Sequence, residues 1–238
     1  MPGRALLLLG SGPGIALSLA KTFSVRGFTH IALVSRDSSR LAQDQDAVLD
    51  TIQERGYSCQ VKTWSCDLCD FERLGVVLGE VEEWSRGGLE VVVFNAARVA
   101  GGPPLEESIE DIEKDFRLTN LALYKVAQWA IPLLRSVKDS DRHPSLFVTS
   151  TTKLYKEPVP DLVSLSMVKS SQRSLVLSLH AKFGEEVHIA LLSVGGVVKA
   201  ENKVISPENI AERGWGLYKE ERGSWRREEE VDDEAEGQ

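Results

Sequence analysis

Short apolar runs alternate with stretches of helical period from one end of the chain to the other. The run Ala5–Leu9 leads directly into Gly10-Ser11-Gly12-Pro13-Gly14, which predicts a strand at about 5–10 and a helix from Gly14 to Arg26. The same alternation predicts strands at about 29–35, 58–65, 89–94, 145–149 and 187–193. Between them, helices are expected from Ser38 to Gly56, from Asp70 to Ser85 and from Ser108 to Arg135. Two more cover about 161–183 and run from Pro207, capped by Ser206, to Gly223. Ser108 with Asp111 three residues on is a helix-start signal, while Pro132 should bend or shorten the end of that helix. A short final strand over 225–231 is compatible with the pattern. Strands separated by helices of this length describe an α/β fold, a doubly wound parallel sheet in one domain.

Length and composition keep that picture simple. The 238 residues contain no Pro/Gly/Ser-rich linker. No apolar run approaches the ~18 residues of a membrane span, and the apolar start reads as a strand rather than a leader. Three cysteines at irregular spacing point to a reducing, cytoplasmic setting. Cys66-x-x-Cys69 lacks a second ligand pair, so no metal site is expected. The net charge of −8 is concentrated at the end, where 228–238 hold seven acids and no base. The rest is nearly neutral and shows no basic patch for nucleic acid. The expected division is therefore a domain over 1–226 and an acidic, solvated, disordered tail over 227–238.

The chemistry begins at the glycine turn. Gly10 permits a tight turn, Gly12 lets backbone approach a phosphate, and Gly14 with Ile15 opens a helix whose amides can face a pyrophosphate. After the second strand stand Ser35 and Arg36, where a ribose-binding carboxylate is usual in NAD sites. Arg36 can pair with a 2′-phosphate and Arg40, one turn on, can add to its charge, which favours NADP(H). Asp37 argues mildly the other way.

Taken together, Gly10, Gly14, Asp67-Leu68, Asn95-Ala96-Ala97 and Lys169 fall in the order found in the short-chain dehydrogenase/reductase family, which this chain resembles over about 1–195. The resemblance implies a Rossmann-type fold, a nicotinamide cofactor and an active-site tetrad of Asn, Ser, Tyr and Lys. Asp67 and Leu68 would meet the adenine, Asn95, Ala96 and Ala97 would line the cofactor, and Gly196 and Val197 would lie beside the nicotinamide. Asn120 matches the family asparagine, although a buried amide satisfied by its surroundings would look the same. Thr151, or Ser150 next to it, matches the serine. Lys169 would hold the nicotinamide ribose. The tyrosine has no counterpart, because Leu165 stands four residues before Lys169. Leu165 cannot move a proton, and general acid catalysis is typically worth ~10²–10⁴ in rate.

Two groups could substitute for the acid: Tyr155, if it swings inward, and Asp161, which shares a helix face with Lys169 but could equally cap the helix. Alternatively the substrate needs no acid, as when hydride adds to an iminium carbon. The missing tyrosine is similar to that of the fungal reductase/Diels–Alderases of indole alkaloid pathways. Gly195 replaces the family proline, and only about a dozen residues separate the sixth strand from the last helix, so the substrate lid is short. The resemblance thus implies an NADP(H)-dependent reductase of a bulky, apolar small molecule, possible as a homo-oligomer through its long helices. The alternative is a non-redox descendant acting as a binding protein or a cofactor-assisted cyclase.

Overall fold

Leu6, Leu7, Leu8 and Leu9 are all without solvent exposure, which places their strand at the centre of a sheet covered on both faces. The computed structural model describes residues 3–137, 141–157 and 159–233. Seven strands form one parallel sheet in the order β3-β2-β1-β4-β5-β6-β7. They are β1 Ala5–Leu9, β2 His30–Ser35, β3 Gln60–Ser65, β4 Leu89–Phe94, β5 Ser145–Thr151, β6 His188–Val194 and β7 Glu228–Val231. The helices are α1 Ile15–Ser24, α2 Ser38–Glu54, α3 Phe71–Ser85, α4 Ile109–Phe116, α5 Ala122–Ser136, α6 Lys153–Lys156, α7 Val163–Phe183 and α8 Pro207–Tyr218.

Alternation along the strands divides the core in two. Leu7, Leu9, Val92, Phe94, Leu146 and Val148 pack with α3, α5 and α7. Leu6, Leu8, Val91, Val93 and Phe147 pack on the opposite face with α1, α2 and α8. Each buried leucine or phenylalanine contributes about 1.5–3 kcal/mol, so the two layers hold the strand ends, and the turns that leave them, in fixed register.

Local signals set the helix starts. Asp37, Asp70, Ser108 and Ser206 each accept a hydrogen bond from the backbone N–H three residues on, contributing about 1 kcal/mol apiece. Asp37 is thus the cap of α2. The helix expected from Ser108 to Arg135 forms, but Arg117–Leu121 is a π-helical turn between α4 and α5. Pro132 does not shorten it, since α5 runs to Ser136 and loses only one backbone bond near its end.

The acidic tail is a correction. Glu228, Glu229 and Glu230 lie in β7, paired in parallel with β6, so a boundary at 226/227 would cut the sheet. Their charges are matched: Glu228 pairs with Arg173 at 2.6 Å, Glu230 with Lys156 at 2.8 Å, and Glu229 with Arg213 and Arg226. Composition alone could not reveal partners such as Lys156 and Arg173, which are distant in sequence. Glu234 and Glu236 lie outside the described residues. The short lid is present as 195–206, between β6 and α8. No helix among the described residues is long and apolar enough to cross a membrane.

Candidate active site

Strand order reverses between β1 and β4, and at the carboxyl ends of such strands a parallel sheet leaves a crevice. Gly10 turns there with φ +86°, and a Cβ on it would stand 2.6 Å from the Ala96 nitrogen. Only glycine lets the two turns approach so closely. Asn95 ties the crossing together. Its Nδ2 donates to the Gly10 carbonyl at 2.9 Å, and its Oδ1 accepts from Thr149 Oγ1 at 2.8 Å.

Two clefts open on either side of Asn95. The first, of about 440 Å³, is lined by Ser35, Arg36, Asp67, Leu68, Ala96 and Ala97 among others. The second, of about 480 Å³, is lined by Gly12, Gly14, Ile15, Val198 and Pro207. A Cβ at Gly12 or Gly14 would meet nothing within 4 Å, so both glycines face open space beside the first amides of α1. The corner is therefore open, with unpaired amides at a helix N-terminus, rather than closed by packing.

At the far end of the first cleft, Asp67 Oδ1 accepts from the Cys69 N–H at 2.9 Å. Arg36 is exposed on the rim, with its carbonyl held by Ser65 Oγ at 3.1 Å. Arg40 does not join it. Its Nε donates to Asp44 Oδ1 at 2.7 Å, and Asp44, fully buried, also accepts from Ser11 Oγ at 2.7 Å. The expectation that Arg40 adds to a 2′-phosphate site is therefore corrected. Burial pushes the Cys66 thiol up to about 11 and also raises Cys69, so neither is poised as a nucleophile.

A profile of the family described as short chain dehydrogenase matches residues 4–208. The chain belongs to the short-chain dehydrogenase family. It is 22% identical over 214 residues to the 7alpha-hydroxysteroid dehydrogenase of Escherichia coli K12, covering 87% of this chain and 77% of that one. Among solved structures, a metagenomic short-chain oxidoreductase in complex with NADP superposes with TM-score 0.83 at 20% identity, covering 98% of each chain. An NADH-dependent reductase complexed with NAD superposes with TM-score 0.79 at 15% identity, covering 97% of this chain and 95% of that one. Both nucleotides occur among such neighbours, so any preference in this short-chain dehydrogenase must come from its own residues.

In this family member Lys169 projects from α7 to the end of β5. It is 6% exposed, and its Nζ donates to the Thr149 carbonyl at 3.0 Å and to Gln172 Oε1 at 2.9 Å. Burial with no facing carboxylate lowers its pKa to about 8. Gln172 also donates to the Thr119 carbonyl at 3.1 Å, fastening α7 to the π-helical turn. Asn120, in that turn, donates to the Val168 carbonyl at 3.2 Å and leaves its buried Oδ1 without a partner. The sequence singled out Lys169 and Asn120; it missed Gln172, although a glutamine three residues after the lysine shares its helix face.

The substitutes for the acid fare less well. Leu165 is 6% exposed in an apolar cluster with Leu154 and Val168. Tyr155 does not swing inward: its hydroxyl sits 2.5 Å from Ser150 Oγ, with Arg173 over its ring at 5.5 Å. Burial first raises its pKa, and the Glu228 charge adds to this. Ser150 is thereby committed too, on the sheet face that carries Leu146 and Val148. Thr151 is half-buried and points to the other face, with Thr149.

Asp161 is exposed and does not cap α7. It lies in a 3₁₀ turn at Pro160–Leu162, where its carbonyl accepts from the Gly102 N–H at 3.0 Å. Gly195 donates its N–H to the Val231 carbonyl at 2.8 Å, and a Cβ there would stand 2.4 Å from the Asp232 carboxyl. A proline has neither the donor nor the room. Gly196 follows in the same segment against Ile205, and Val197 is 74% exposed; neither lines the two clefts.

One network escaped the sequence altogether. Arg98 donates from Nε to Asp115 Oδ1 at 2.6 Å, and Ser164 Oγ donates to Asp115 Oδ2 at 2.7 Å. It joins the turn after β4, α4 and the start of α7 beside Leu165. Nothing in their spacing announces a through-space contact.

Proposed function

We propose that the protein binds NADP(H) across the two clefts and reduces an activated C=N, C=C or C=O group of a bulky, apolar small molecule without a tyrosine acid. The observation that carries this reading is Lys169: a buried amine at the end of β5 with two of its three protons taken by Thr149 and Gln172. The third remains for the ribose hydroxyls of a nicotinamide nucleotide. Arg36 supports NADP(H), because among the described residues no carboxylate pairs with it. Asp67, Leu68, Ala96 and Ala97 would line the adenosine half, and Gly12, Gly14 and Ile15 the pyrophosphate.

NADPH, when bound, supplies a hydride. The apolar cluster around Leu165 favours a substrate whose product needs no proton at the reacting atom. Hydride addition to an iminium carbon has that property, since the nitrogen becomes a neutral amine as the C=N bond becomes single. A carbonyl would need its alkoxide protonated by water or by the Lys169 ammonium. Exposed Val99 and Val197 and the short 195–206 segment suit a large apolar substrate. A role in secondary metabolism, akin to the fungal reductase/Diels–Alderases, is part of the same proposal. So is homo-oligomer formation through Ile109, Phe116, Tyr124, Val163 and Met167, all exposed on α4, α5 and α7. Three free cysteines suit a cytoplasmic setting.

A second reading is a cofactor-binding protein without turnover, an interaction protein or a cyclase, favoured by the committed hydroxyls of Tyr155 and Ser150. Titration with NADPH and NADH, followed by stopped-flow oxidation of NADPH with cyclic iminium and enone compounds, separates the readings. Binding with oxidation that Lys169→Ala abolishes supports the reductase. Binding without oxidation of any of them leaves a cofactor-binding protein or a cyclase, and no binding to either nucleotide removes the reductase and leaves the interaction protein.

A further inference from the structure

Resting on the reading that the first cleft receives the adenosine half of a dinucleotide, we infer that Arg117 reads the adenine base as the partner of Asp67. Cys69 fixes the two side chains relative to each other. Its N–H donates to Asp67 Oδ1 at 2.9 Å, and its carbonyl accepts from Arg117 Nε at 2.9 Å. A carboxylate and a guanidinium are thus held on the two polar groups of one residue, and both line the cleft with Leu68 and Leu118.

The guanidinium is also held against an aromatic ring. Its central carbon lies 4.1 Å from the centroid of the Phe71 ring, so the group stacks at the start of α3 instead of sweeping through solvent. Only Nε is used by Cys69, and the two terminal nitrogens remain as donors. Asp67, which accepts from the Cys69 N–H and thiol, still has lone pairs left to accept a further bond. Arg117 opens the π-helical turn Arg117–Leu121, and the local widening of the helix there accompanies its reach to the loop after β3.

An acceptor beside a donor is the complement of adenine, whose exocyclic amine donates next to a ring nitrogen that accepts. Asp67 accepts a hydrogen bond from the amine, and Arg117 donates one to the ring nitrogen. Flat apolar surface from Leu68 and Leu118 accommodates the ring itself. Arg36 stands on the β2 side and answers to the 2′-phosphate, a separate recognition element. Base and phosphate are therefore read by different arginines.

The separation makes a test. Affinities of the full chain for NADPH, NADH and 5′-ADP are measured by calorimetry for wild type, Arg117→Ala, Arg117→Lys, Arg36→Ala and Phe71→Leu. All three ligands share the adenine, so Arg117→Ala should weaken each by about ten-fold, whereas Arg36→Ala should weaken NADPH alone. Arg117→Lys keeps the charge without the planar fork and should not restore binding. Phe71→Leu, which leaves the donors but loosens their plane, should weaken all three ligands by about two- to three-fold, and it decides the matter if Arg117→Ala does not fold. Arg117→Ala within two-fold of wild type, a loss confined to NADPH, full restoration by lysine, or an unaffected Phe71→Leu would each overturn the assignment. A wild-type protein that binds none of the three defeats the cofactor reading itself, a result distinct from these.

Discussion

Lys169 donates to the main-chain oxygen of Thr149 at 3.0 Å, so the amine of α7 is anchored on the same strand end whose threonine side chain holds Asn95. Its pKa of about 8 in the folded protein lies below the ~10.4 of an exposed lysine. Between those values the unfolded chain binds more protons, so the folded state gains stability as pH rises from about 8 to about 10 and bears the full penalty below 8. Lys169→Met lacks this dependence. Its melting temperature relative to wild type should therefore be most favourable near pH 7 and decline toward pH 10, while its NADPH affinity falls about ten-fold. Thermal melts across pH check the first expectation, and a parallel pH course for both proteins would contradict it.

Leu165 packs with Leu154 and Val168 in an apolar cluster. Leu165→Ala should lose about 2–5 kcal/mol of stability by urea unfolding, through a cavity in that cluster. NADPH affinity should stay within about two-fold, a change of less than 0.5 kcal/mol. A loss of binding with unchanged stability would place Leu165 in the cofactor site instead.

Tyr155→Phe removes one hydroxyl from the Ser150 contact and should cost about 1 kcal/mol of stability. If Tyr155 is structural, NADPH oxidation with any accepted substrate continues at a rate within a few-fold of wild type. A drop of 100-fold or more, with KM unchanged, would instead make Tyr155 the missing acid.

His188 is fully buried, its Nε2 against the Arg226 carbonyl and its ring stacked on Trp225 at 5.2 Å. Burial lowers its pKa to about 4, from about 6.5 when unfolded. The unfolded chain takes up the proton first, so stability present above pH 6.5 is lost as pH falls toward 4, by about 3 kcal/mol. His188→Phe should flatten that slope while lowering stability at pH 7 through the lost hydrogen bond. Urea midpoints at pH 7.5 and 5 for both proteins measure it.

Which parts were legible in the sequence follows from distance along the chain. The glycine turn, the caps at Asp70, Ser108 and Ser206, and the alternation of strands and helices are local patterns, and each appears where expected. Asp67, Asn95, Asn120 and Lys169 were singled out through their match to the motif order of the short-chain dehydrogenase/reductase family. Contacts between residues remote in sequence were not legible. Arg40 seemed available until Asp44 took it, and Tyr155 seemed mobile until Ser150 and Arg173 enclosed it. The acids of 228–230 looked like a solvated run because their basic partners are spread from Lys156 to Arg226.

Asn95 borders both clefts while bonding to Gly10 on one side and Thr149 on the other. A shift of Asn95 would therefore reach both halves of the crevice. On the proposed cofactor reading, ordering one half by a mononucleotide fragment would lower the entropy that remains to be lost in the other. Two half-molecules filling the site together would then hold each other in place, and a dinucleotide gains from that cooperation beyond the sum of its parts.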